Sequence, residues 1–246
     1  MSALGSMTWM ETKLFFREPV QPLLVLALPV LLVVGFGLIP GFGDPSSDLG
    51  GQGGTEYIAS LGVGIVLAVL GLSVLPTSLA TYRERGVLRR LRATPVKPQL
   101  LLAAQLILVG AAAVVAVALL IGVGVGAFGV AVPRNAAGFV LSVVLGAGAL
   151  LSIGLLIAAL APTAKAASTA GTVLFFPSAF LAGIYVPRDS FSPLLKHISD
   201  VTPLGAVLES VRDTWQGQWP HPVHLVTMVA WTLVAGLVAA RTFRWE

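Results

Sequence analysis

The feature that most constrains this chain is a series of unbroken apolar runs about 20 residues long, as over 20–39 and again over 57–80. A helix of that length spans ~30 Å of hydrocarbon and satisfies its own backbone N–H and C=O groups where no water can. The runs do not alternate apolar with polar residues, which excludes a barrel of short strands. Of the 246 residues, 56% are apolar and 11% charged, more apolar surface than one water-soluble core could hide. The expected fold class is therefore all-α, a polytopic membrane protein.

Breaks in the apolar runs define six expected spans, at about 20–39, 57–80, 99–130, 136–161, 166–186 and 223–240, within a single domain covering 1–246. The third is long and carries Gly122, Gly124 and Gly126, so a tilted helix loosened at its outer end is expected there. Residues 1–19 do not read as a cleavable signal, because Glu11 and Glu18 interrupt them and no small-residue cleavage site follows. Lysines and arginines set the orientation. Segments 1–19, 81–98, 162–165 and 241–246 hold eleven of them and four carboxylates, a net of +7. The opposite loops hold four cations and seven carboxylates, a net of −3. The positive-inside rule puts both termini and the 81–98 loop in the cytoplasm. An Arg-rich, Ala/Val/Leu/Gly-dominated composition hints at a bacterial cytoplasmic membrane.

Several chemistries are excluded. There is no cysteine, hence no disulfide or thiolate site. No ionisable side chain falls in the middle of a span, which argues against an ion-coupled carrier. The three histidines, His197, His221 and His224, all fall in the last outer loop, where solvated or interface positions are expected and no metal site is. Gly124, Gly126 and Gly129 match the dinucleotide fingerprint but lie in an apolar helix, not a strand-turn-helix unit. With no phosphate-binding loop, no cofactor is expected in this chain, and uphill movement would draw on ATP and Mg²⁺ bound by another subunit. Nucleic acid is not an expected partner; the lipid bilayer is.

The loop Tyr82-Arg83-Glu84-Arg85-Gly86-Val87-Leu88-Arg89-Arg90-Leu91-Arg92-Ala93-Thr94-Pro95-Val96 is the most informative segment. At 100° per residue Glu84, Val87, Leu88 and Leu91 share one helical face, and Pro95 stops the helix. Such a helix suits either a membrane surface or a groove on a soluble partner. Glu84 lacks a basic residue three or four positions later, so its charge needs a partner elsewhere, and Lys13 or Arg17 are candidates. Gly86 inside the pattern calls for a close backbone approach or a kink.

The pattern Arg83-Glu84-x-Gly86-x-Leu88-x-x-Leu91-x-x-Thr94-Pro95 resembles the cytoplasmic loop motif of ABC-2 type transporter permeases, particularly the daunorubicin-resistance-like antibiotic exporters. The stretch from Phe176 to Pro187, then Pro193, Ile198, Pro203 and Arg212, is similar to that family's fifth span and following outer loop, and Phe16-Arg17-Glu18-Pro19 fits its N-terminal region. The family has Thr after the loop glycine, where Val87 stands here. The resemblance implies an N-terminal interfacial elbow helix (1–19), a cytoplasmic coupling helix (81–96) carrying Arg83, Glu84, Gly86, Leu88 and Leu91 as its transmission surface, and short re-entrant outer helices within 187–222. It also implies two partners: a soluble ABC ATPase in two copies, and a second permease chain, identical or a paralogue.

In the 187–222 loop, Phe191, Leu194, Leu195, Ile198, Leu204, Val207, Leu208 and Val211 recur at helical intervals, and Glu209 with Arg212 is spaced for a local ion pair. Ser73, Thr77, Thr172 and Phe176 are the candidates for a translocation path, although hydroxyls in lipid also satisfy themselves on their own helix. A path of this composition suits a hydrophobic or amphiphilic cargo, a drug, antibiotic or lipid, moving outward. An ion-coupled carrier and a non-transporting membrane regulatory module are the alternatives, and the chain itself is not expected to be an enzyme.

Overall fold

A computed structural model of the chain describes residues 3–44, 53–87 and 99–242, all helices and connecting turns apart from an isolated bridge at Gly53. Helix α1 is Ala3–Arg17, α2 Val20–Gly37, α3 Gly54–Glu84, α4 Gln99–Phe128, α5 Ala136–Leu160, α6 Ala164–Leu181, α7 Pro193–Asp200, α8 Pro203–Trp215 and α9 Pro222–Thr242. Five of these, α2, α3, α4, α5 and α9, are long and apolar enough to cross a membrane. The span expected over 166–186 is helical as α6, but Lys165 and the hydroxyls of Ser168, Thr169 and Thr172 dilute its apolar run and keep it out of that set.

Helix α3 is the core of the bundle. From Gly54 to Pro76, Ser73 alone is exposed, and α2, α4, α5, α6 and α8 all pack around it. Small residues permit this: Ala59, Ser60, Gly62, Gly64, Ala68 and Gly71 let neighbouring helices approach closely, as lipid-immersed helices require in place of a hydrophobic driving force. The widened π-turn Leu70–Val74 lies just ahead of Pro76, and Leu23–Ala27 stands in the same relation to Pro29 in α2. A proline cannot donate to the carbonyl four residues back, and a π-turn is a common way for a helix to absorb that gap.

Helix α4 is continuous to Phe128, so the loosening expected at its outer end does not occur. Its three glycines stay in helical register, and the chain turns only at Gly129, whose φ of +64° lets the Val130 N–H reach the Gly124 carbonyl at 3.1 Å. The glycine triplet belongs to a helix end, with no strand before it. The 187–222 loop forms α7 and α8 where the apolar spacing placed them, and Leu204, Val207, Leu208 and Val211 are fully buried against α3, α5 and α9.

Candidate coupling site and far-end lock

Two groups of polar side chains stand apart from the apolar bundle, one at each end. At the loop end, α3 stops because Gly86 takes φ +65°, with Arg85 and Gly86 donating back to the Thr81 and Arg83 carbonyls. A Cβ on Gly86 would meet nothing within 4 Å, so this glycine makes a kink rather than a close approach. Glu84 therefore closes the span helix instead of sharing a continuous helical face with Val87. Leu88, Leu91 and the rest of the expected coupling helix lie outside the described residues.

Glu84 does not reach Lys13 or Arg17. Its Oε2 accepts the backbone N–H of Ala164 at 2.9 Å, while Thr163 Oγ1 accepts from Ala166 N–H at 3.1 Å. Both are unpaired donors of the first turn of α6, whose positive dipole end favours a carboxylate. The adjacent Arg83 points the other way: its Nη1 donates to the Ala159 carbonyl at 3.3 Å, in the last turn of α5, where the dipole end is negative. Two successive residues of opposite charge thus clasp the two helix ends on either side of the 161–163 turn.

Deeper in the bundle the same helix meets α5 and α6 through its backbone. A Cβ at Gly171 would sit 1.8 Å from the Leu72 carbonyl oxygen, and one at Gly154 would sit 2.0 Å from that of Gly71. These carbonyls lie in the π-turn, so glycines of two neighbouring helices seat directly on it. Ser73, the next residue, is exposed, and so are Thr172 and Phe176 on α6, while Thr77 is half-buried. The Thr172 hydroxyl donates to the Ser168 carbonyl at 2.9 Å, the self-satisfaction expected of a hydroxyl in lipid.

The α1 helix adds a polar node that the sequence did not announce. Glu11 is 2% exposed, and its Oε2 accepts from Tyr82 Oη and from Gln105 Nε2, each at 2.5 Å. Burial holds its carboxyl above the usual range, with the Tyr82 bond pulling the other way. Glu11 ties the N-terminal helix to α3 and α4. Phe15, one turn on, is buried beside it, whereas Trp9 and Phe16 remain exposed.

At the far end the ionic groups of the 187–222 loop form one connected lock. Arg188 bonds Asp200 through Nη2 and Glu209 through Nη1, the latter at 2.5 Å. Arg212 pairs with Glu209 at 2.9 Å, as the i, i+3 spacing predicted, and lies 5.0 Å from the centre of the Tyr57 ring. Tyr57 Oη in turn donates to the Gly183 carbonyl at 3.1 Å. His197 and His221 are exposed, but His224 is buried, with Nε2 2.9 Å from Asp200 Oδ1. Of the solvated or interface positions expected for the three histidines, His224 takes the interface one, because α9 brings its first turn against that carboxylate of α7.

A basic loop on the central span, a short N-terminal helix packed on the bundle and two helices covering its far end are one architecture. The family model for the ABC-2 type transporter matches residues 2–216. The chain belongs to that family. No curated protein matches it. As an ABC-2 membrane domain the chain is a permease, a membrane protein without catalytic activity of its own, and the family works in association with an ABC ATPase.

Proposed function

We propose that this ABC-2 permease is the membrane subunit of an ATP-driven exporter that moves a hydrophobic or amphiphilic molecule outward across a bacterial cytoplasmic membrane. Both termini and the 81–96 loop face the cytoplasm, two soluble ATPase subunits dock on that loop, and a second permease chain completes the path. The observation that carries this reading is the clasp of Arg83 and Glu84. Residues at the base of the basic loop grip the ends of α5 and α6, so a push on the loop moves three helices together. Exposed Ser73, Thr172 and Phe176, with half-buried Thr77, supply a weakly polar, hydroxyl-bearing face for the cargo.

Co-expression with a soluble ABC ATPase and reconstitution of the purified pair into liposomes test this function. ATP-dependent movement of a fluorescent amphiphile, lost in Glu84→Ala and Gly86→Pro variants that still insert, is the expected result. Transport by the permease alone under an imposed ion gradient would replace it with an ion-coupled carrier.

A further inference from the structure

The Glu11 node borders a cavity of about 110 Å³ between α1, α3 and α4, far above the ~10–15 Å³ a single water requires. Its polar wall is rich in acceptors. Glu11, Tyr82 and Gln105 meet there, and Glu18 stands at its edge with Gln21 donating to its carboxylate at 3.2 Å. Gln105 is 2% exposed, and although its Nε2 donates to Glu11, its Oε1 is buried with no hydrogen-bond partner. A buried acceptor left unsatisfied is costly and is normally met by a donor.

The charges lining this cavity are the carboxylates of Glu11 and Glu18 and the guanidinium side chain of Arg85. Directly beside it lies an apolar pocket of about 180 Å³, which shares Phe15 and Leu108 with it and is otherwise walled by groups such as Phe16, Leu26 and Ile107. The two hydroxyls in that pocket are already spent, Thr8 on the Leu4 carbonyl and Thr12 on that of Thr8. An acceptor-rich, carboxylate-bearing pocket thus lies against an apolar one, with Phe15 and Leu108 lining both.

We propose that the two chambers together bind an amphiphile headed by a primary ammonium group, its N–H donors on Glu11 and Gln105 Oε1 and its apolar body along Phe15 and Leu108. An ammonium brings three donors and a positive charge to a site offering acceptors and a carboxylate that burial alone disfavours as an anion. A quaternary ammonium has no N–H to give, and an anionic head, although attracted by Arg85, faces the Glu11 and Glu18 carboxylates and the unpartnered Gln105 Oε1 acceptor. As a statement about what is exported, this rests on the function proposed above; as a binding site it does not. A free amine of drug size and an aminophospholipid present the same head.

The test uses the permease alone in nanodiscs, without ATP or ATPase, and two matched probe pairs. Monodansylcadaverine is compared with its N-acetyl derivative, and acyl-chain-labelled phosphatidylethanolamine with the identically labelled phosphatidylcholine. In at least one pair the primary amine should bind about tenfold or more tightly, the usual scale of a charge-assisted hydrogen bond, and Glu11→Gln should abolish that preference. The pair that responds identifies the source of the head group. Equal binding within both pairs, or a preference that survives Glu11→Gln, overturns the site. The wild-type comparison decides alone should that variant fail to insert. Amine-selective binding without ATP-driven transport would leave the site standing and remove the export function, and ATP-driven transport without amine selectivity would do the reverse.

Discussion

Glu84 Oε2 accepts the backbone N–H of Ala164 at 2.9 Å, which makes the last residue of the central span a second cap for the helix across the turn. The contact is exposed, and a carboxylate at a helix N-terminus is worth only about 0.3–1 kcal/mol in such a setting. Its value lies in what it links. Glu84→Ala should lower the thermal midpoint of the purified permease by no more than a few degrees while reducing stimulation of the partner ATPase severalfold. Glu84→Gln, which keeps an acceptor but loses the charge, should fall between. Parallel melting curves and ATPase assays on the three proteins separate the two effects.

The seating of α5 and α6 on the π-turn of α3 gives a sharper structural prediction. Gly171→Ala places a methyl 1.8 Å from the Leu72 carbonyl oxygen and Gly154→Ala places one 2.0 Å from that of Gly71, and backbone atoms in a packed bundle have little room to move. Each should cost at least about 2 kcal/mol, by the scale of overpacking. Gly122→Ala in α4, where a Cβ meets nothing within 4 Å, should instead be neutral or stabilising by up to about 1 kcal/mol. Thermal melts in one detergent compare all three.

Five of the expected spans and the two helices of the 187–222 loop were legible because each rests on period: apolar runs, and Leu204, Val207, Leu208 and Val211 at helical spacing. The Glu209–Arg212 pair was readable for the same reason, as a local i, i+3 contact. Glu84 was marked as a charge in want of a partner, but a backbone N–H 80 residues away leaves no trace in side-chain identity. Glu11 carried the same mark unnoticed, since Leu14 and Phe15 occupy the positions where a helical cation would sit. The π-turn was foreshadowed by Pro76, whereas the two glycines that seat on it are indistinguishable in sequence from Gly122 or Gly126. Whether His224 would be solvated or at an interface was left open, because its burial depends on how α9 enters the bundle.

Glu11 also predicts a pH dependence. Its folded-state pKa is raised by burial, so the folded protein holds the proton more tightly than the unfolded chain. The associated stability is fully present below the unfolded value and is lost as pH rises through the folded one. Glu11→Gln, which stays neutral and still offers an oxygen to Tyr82 and Gln105, should therefore melt higher than wild type at pH 8, with the gap closing as the pH approaches 4. Glu11→Leu should melt lower at every pH, because the Tyr82 hydroxyl and the Gln105 amide lose their acceptor at about 1–3 kcal/mol each. A pH series of melts on wild type and the two variants checks both signs.

Arg212 is the residue on which the far-end lock turns. It is 8% exposed, pairs with Glu209, lies 3.6 Å from Asp189 and packs on the face of Tyr57, so it connects α8 to the turn after α6 and to the start of α3. Removing one partner of a buried pair leaves uncompensated charge, typically at about 3–5 kcal/mol, although Arg188 still neutralises part of Glu209 here. Arg212→Ala should accordingly cost about 2–4 kcal/mol and expose the segment from Pro187 to Phe191 to protease added outside sealed vesicles. Arg212→Lys keeps the charge but not the planar fork that spans Glu209 and the ring, and should recover less than half of the loss. A cleavage-rate series with the three proteins in vesicles measures this directly. Protection equal to wild type in Arg212→Ala would mean that the apolar contacts of Leu204, Val207, Leu208 and Val211 hold α7 and α8 without the lock.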